Sequence, residues 1–103
     1  MELTVLSVPG CPNAGLLEQR LAGLRAGRPE VRISRHMVTR DDEAARLGMH
    51  GSPTLLINGC DPFPAPPQGP ALACRLYPSD GRLEGAPSVS ALRDALTRAG
   101  LPG

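Results

Sequence analysis

Three cysteines and two histidines carry most of the chemical potential of this sequence: Cys11, Cys60, Cys74, His36 and His50. Of these, Cys11 has the setting best suited to reactivity. It lies in Ser7-Val8-Pro9-Gly10-Cys11-Pro12-Asn13-Ala14, where an apolar run (Leu3, Val5, Leu6, Val8) ends in a Pro-Gly turn and a helix begins. Pro12 suits the first helical position, because its missing N–H costs nothing there, and this leaves Cys11 as the N-cap beside free backbone N–H groups. A helix start favours the thiolate, the form in which cysteine is a nucleophile or a soft-metal ligand. The plainer alternative is a small buried cysteine that merely starts a helix.

The other candidates divide by context. Cys74 reads as an inward-facing residue of a strand, and Cys60 precedes a proline-rich stretch. His36 falls on the polar face of an edge strand and reads as solvated. Asp41, Asp42 and Glu43 are explained by the start of a helix, where acids complement the dipole. No Cys-x-x-Cys and no Cys/His cluster at metal spacing occurs, so no metal site is expected.

Composition narrows the classes of function. The 103 residues read as a single domain, 1–103, with two aromatic residues, Phe63 and Tyr77, so the core must be aliphatic. All eleven basic residues are arginine, spread along the chain, and the net charge is +1. Schiff-base lysine chemistry is excluded, and nothing calls for a nucleic-acid partner. The first residues lack a basic region and a long apolar run, so the expectation is a cytoplasmic protein with no membrane association, whose three thiols stay reduced.

These residues are positioned by a recognisable succession of elements. Residues 2–8 read as a buried strand and 12–26 as an amphipathic helix with Leu17, Leu21 and Leu24 on one face. Val31 to Val38 reads as an edge strand. Thr39 should cap a short helix through Leu47, with Gly48 as its stop. Met49 to Thr54 reads as a loop, Leu55-Leu56-Ile57 as a short buried strand and Asn58-Gly59 as a turn. About 60–71 forms an insertion with polyproline character, pinned by Phe63. A strand then runs from Ala71 to Tyr77 with Leu72, Cys74 and Leu76 on the inner face, followed by a turn at 78–81. The last helix is capped by Ser88, carries Val89, Leu92, Leu96 and Ala99 as its stripe, and is ended by Gly100 and Pro102.

With Cys11-Pro12-Asn13-Ala14 after the first strand and Gly51-Ser52-Pro53-Thr54 before the third, the chain resembles the thioredoxin superfamily. The resemblance implies a thioredoxin-like α/β fold, β-α-β-α-β-β-α, whose four-stranded mixed sheet is flanked by helices, the proline-rich insertion preceding the last strand. It also implies that Pro53 is a cis-proline beside the active cysteine and that the Ser52 backbone pairs with extended substrate. Pro12, Asn13, Ser52, Pro53 and His50 would then shape the site, with His50 near enough to support a thiolate.

Ala14 departs from the dithiol pattern of that family. It occupies the position of a resolving cysteine, so Cys11 must act as a monothiol or borrow a second thiol from elsewhere. Cys74 and Cys60 are the candidates. In the implied topology Cys60 falls at the end of the sheet away from Cys11, roughly 13 Å off, and Cys74 toward the same end unless the proline-rich loop folds back over the sheet; there the two could instead pair with each other. The leading reading is a monothiol oxidoreductase performing thiol–disulfide exchange through Cys11, with protein or low-molecular-weight thiols as partners, glutathione as co-substrate and no resident cofactor. Two other readings stay open. One is a soft-metal or organomercurial thiol-binding protein, suggested by a weaker resemblance to short sequences labelled alkylmercury lyase and by Cys60-Asp61. The other is a non-catalytic thioredoxin-fold binding module.

Overall fold

The structure, a computed structural model, describes residues 1–63 and 70–101. Most of the proline-rich stretch and the expected stop at Pro102 lie outside the described residues. The elements are β1 (Glu2–Ser7), α1 (Pro12–Arg25), β2 (Arg32–Met37), α2 (Asp41–Leu47), β3 (His50–Ser52), β4 (Thr54–Ile57), β5 (Ala71–Cys74), β6 (Tyr77–Ser79), β7 (Arg82–Glu84) and α3 (Val89–Arg98). The protein is thus mixed α/β with three helices among the described residues. None of them is long and apolar enough to cross a membrane.

The central sheet has the order β2-β1-β4. β1 and β2 are parallel, from Glu2 opposite Arg32 to Ser7 opposite Met37, as a strand–helix–strand crossover requires. β4 runs antiparallel to β1, with Leu3 opposite Ile57 and Leu6 opposite Thr54. Alternation along these strands feeds two cores. Leu3, Val5, Leu55 and Ile57 pack against Leu17 and Leu21 of α1 and Leu92 and Leu96 of α3. Leu6 and Leu56 face the other way, toward Val38, Met49 and Ala44 of α2. Fully burying one such leucine contributes about 1.5–3 kcal/mol.

Beyond β4 the expected layout gives way. The resemblance implies a four-stranded mixed sheet, yet the central sheet of the described residues has three strands. Asn58 and Gly59 turn the chain with positive φ, and one antiparallel bridge forms, Ile57 with Cys60. Pro62 has no N–H with which to continue a ladder. Asp61 instead accepts the Phe63 N–H at 3.0 Å and the chain leaves the sheet edge. On its return, β5 lies parallel to β3 as a separate two-stranded sheet, and β6 and β7 form an antiparallel hairpin.

Two helix starts show how local chemistry sets the boundaries. The Ser88 hydroxyl accepts the Ala91 N–H at 3.1 Å, the expected cap of α3. At α2 the Thr39 hydroxyl makes no cap; the N-cap is Arg40, and the Thr39 N–H donates to Glu43 Oε1 at 3.3 Å. That contact and the neighbouring His36 ring, 3.3 Å from Glu43, hold the Glu43 carboxyl below its ordinary range, with the His36 hydrogen bond the larger cause.

Candidate functional site

Cys11 stands where β1 hands over to α1. Gly10 turns the chain with φ 77°, the Cys11 N–H donates to the Val8 carbonyl at 3.3 Å, and Pro12 takes the first helical position. Cys11 is the N-cap residue and makes no side-chain cap hydrogen bond. It is half-buried against the edge of the first core. The first turn of α1 holds no acidic residue, so no carboxylate opposes an anion at the sulfur. Ala14, one turn on, is buried and brings no second thiol.

The Gly51-Ser52-Pro53-Thr54 segment comes to the same place from the other end of the chain. Thr54 pairs with Leu6 near the end of β1, and the Ser52 hydroxyl accepts the Val8 N–H at 3.1 Å. The Ser52–Pro53 peptide is cis, and both residues are fully buried. The polar groups of this segment are tied down by partners within the chain. The Arg75 N–H donates to the Ser52 carbonyl at 3.1 Å, and the Tyr77 hydroxyl donates to the Pro53 carbonyl at 2.5 Å. The Thr54 hydroxyl donates to the Gly51 carbonyl at 2.6 Å while accepting the His50 N–H at 3.2 Å and an Arg75 guanidinium N–H at 3.3 Å.

Arg75, Tyr77 and Asp61 form the support of that segment, and sequence reasoning missed all three. Arg75 is 3% exposed, an unusual state for arginine that requires a partner. It finds one in Asp61, at 2.7 Å, and its guanidinium carbon lies 4.6 Å from the centre of the Tyr77 ring. Phe63 meets the same ring edge-on at 5.5 Å between centroids. Burial pushes the Tyr77 phenol far above its ordinary range, against the opposing pull of the Arg75 charge. The available signal was alternation: Arg75 and Tyr77 share one face of an extended stretch, and Asp61 is an acid just across the insertion.

Leu72 packs against the second core as expected, but beyond it the inner face differs from the one expected. Cys74 and Leu76 are exposed, while Arg75 and Tyr77 point in. Hydropathy favours Leu72, Cys74 and Leu76 as the buried set, but β5 ends at Cys74 and the next residue, Arg75, turns inward to Asp61. Cys74 is also in register with Ser52, at the Cys11 end of the sheet and not at the far end, because β5 pairs with β3 instead of β4. Cys60 does lie at the far end. It bridges Ile57, which pairs with Leu3, so roughly 10 Å of strand separates it from the Leu6 end. All three cysteines are free, Cys60 and Cys74 included.

The remaining candidates have structural surroundings. The Asn13 side chain fills the space above Gly85, where a Cβ would collide with it. His50 is half-buried in β3, opposite Ala71, and not in a loop. Its Nδ1 and the Ser7 hydroxyl are buried with no hydrogen-bond partner among the described residues. His36 is exposed and pairs with Glu43. Among the described residues no three His, Cys, Asp or Glu side chains gather as metal ligands. Asp61, the acid beside Cys60, is committed to Arg75. No protein-family model matches this chain, and neither a curated protein nor a solved structure matches it.

Proposed function

We propose that this is a thioredoxin-like protein performing thiol–disulfide exchange through Cys11. The observation that carries the reading is convergence: the Ser52 hydroxyl holds the Val8 N–H at 3.1 Å, so the Ser52–Pro53 segment abuts the turn that presents Cys11 at a helix N-terminus. The parallel β1–β2 crossover and the antiparallel β4 are consistent with that fold. Helix N-termini are settings in which cysteine reacts as the thiolate. In the reaction, the Cys11 thiolate attacks one sulfur of a disulfide. A new S–S bond forms to Cys11, the old one breaks, and the other half leaves as a thiolate that takes up a proton. A second thiol from solution, glutathione being one of suitable size, then attacks the outer sulfur of the mixed disulfide and releases Cys11.

The test is to expose the reduced protein briefly to a small disulfide, quench in acid and locate the adduct by peptide mass. The expected result is a mixed disulfide that forms first on Cys11 and that vanishes from that position in Cys11→Ser while Cys60→Ser and Cys74→Ser retain it. Adducts forming on Cys60 and Cys74 ahead of Cys11 would contradict the reading.

A further inference from the structure

The edge of β3 beside the Cys11 turn is already occupied by the chain itself. β5 lies along it in parallel, with His50 opposite Ala71 and Ser52 opposite Cys74. The Ala71 N–H donates to the Met49 carbonyl at 3.0 Å and the Arg75 N–H to the Ser52 carbonyl at 3.1 Å. The approach is closer than any residue but glycine permits at its centre: Gly51 has φ 108°, and a Cβ there would sit 2.7 Å from the Cβ of Arg75. The strand is also anchored immediately downstream. Arg75 is buried on Asp61 and Thr54, and Tyr77, 3% exposed, donates to the Pro53 carbonyl. Two consecutive carbonyls of the segment that meets the turn before Cys11, those of Ser52 and Pro53, thus have their donors from within the chain.

An extended polypeptide is commonly recognised by adding a strand to a free sheet edge, with backbone hydrogen bonds supplying the affinity. A covered edge gives it no such purchase. We propose that β5 closes the peptide-docking edge beside Cys11, so that the disulfide exchanged there belongs to a small molecule and not to an extended polypeptide. This rests on the exchange reading above and narrows its substrate class. The chemistry is unchanged and balanced: Cys11 takes one half of a low-molecular-weight disulfide, the other half leaves as thiolate, and a second low-molecular-weight thiol restores Cys11 while becoming oxidised to the mixed or symmetric disulfide.

The experiment uses the full chain, reduced, with two probes that share one leaving group: bis(2-hydroxyethyl) disulfide, and an extended peptide of about ten residues whose cysteine is the mixed disulfide with 2-mercaptoethanol. The rate of adduct formation is followed at Cys11 and at the exposed Cys60, which serves as the internal reference for size and intrinsic reactivity. The expected result is a small-to-peptide rate ratio at Cys11 equal to or above the ratio at Cys60, because the covered edge gives the peptide no backbone hydrogen bonds that would speed its reaction at Cys11. A small-to-peptide ratio at Cys11 about tenfold or more below that at Cys60, the scale of one to two backbone hydrogen bonds gained by the peptide, would overturn the inference while leaving exchange at Cys11 standing. No adduct at Cys11 with either probe would overturn the exchange reading, and the inference with it.

Discussion

Replacing Asp61 with alanine removes the carboxylate that pairs with the buried Arg75 among the described residues, and the structure bounds what that costs. The Arg75 side chain is 2% exposed and the Asp61 side chain 12%, with 2.7 Å between their charged atoms. Breaking a buried pair from one side costs about 3–5 kcal/mol. Here part of the charge remains accommodated, by the Thr54 hydroxyl at 3.3 Å and by the Tyr77 ring at 4.6 Å. A desolvated cation on an aromatic face is worth up to about 2 kcal/mol, so Asp61→Ala should cost about 2–4 kcal/mol. For a domain of this size, where each kcal/mol moves Tm by about 4–8 °C, Tm falls by at least about 8 °C. Urea unfolding followed by far-ultraviolet circular dichroism supplies the free energy, provided the slope with denaturant is unchanged. The double variant Asp61→Leu with Arg75→Met should recover most of the loss, since an apolar pair removes the buried charge together with its carboxylate. A single variant within about 0.5 kcal/mol of the parent would refute the network as the support of the Ser52–Pro53 segment.

Other expectations concern the same support. The lone tyrosine, whose phenol is raised above its ordinary range by burial, keeps its proton at about pH 10, where an exposed tyrosine is half ionised. Because the folded state holds that proton when the unfolded state has lost it, this contribution to stability is complete below about pH 10 and declines as pH rises above it; phenolate absorbance should appear only with unfolding. Gly51→Ala forces a side chain into positive φ against Arg75 and should cost at least about 1–3 kcal/mol. Gly15→Ala, in open space on α1, should instead add about 0.5–1 kcal/mol, and the opposite signs are read from paired thermal melts.

The elements whose formation depends on local pattern were legible in the sequence. The α1 start at Pro12, the Gly48 stop of α2 in the left-handed region and the Ser88 cap each follow from a residue type at a fixed place. Periodicity also placed Leu17 and Leu21, and Leu92 and Leu96, in the core. What escaped was decided at a distance. A charged residue is assigned to the surface by default, so nothing near Arg75 in sequence announces its burial; its partner Asp61 lies fourteen residues earlier. The same pairing draws Arg75 inward just past the end of β5, where Cys74 is exposed. Pairing of β5 with β3, two short segments with the insertion between them, carries no local signature either. Thus the location of Cys11 and of Pro53 could be read, whereas the strand that covers the edge beside them could not.

The most direct test of the central claim is the order in which the three thiols alkylate at neutral pH, measured by brief labelling of the native protein and peptide mapping. Exposure alone ranks Cys60 and Cys74 ahead of the half-buried Cys11. A Cys11 activated by its place at the start of α1 reverses that ranking and labels first. Labelling that follows exposure, with Cys11 last, would contradict the account.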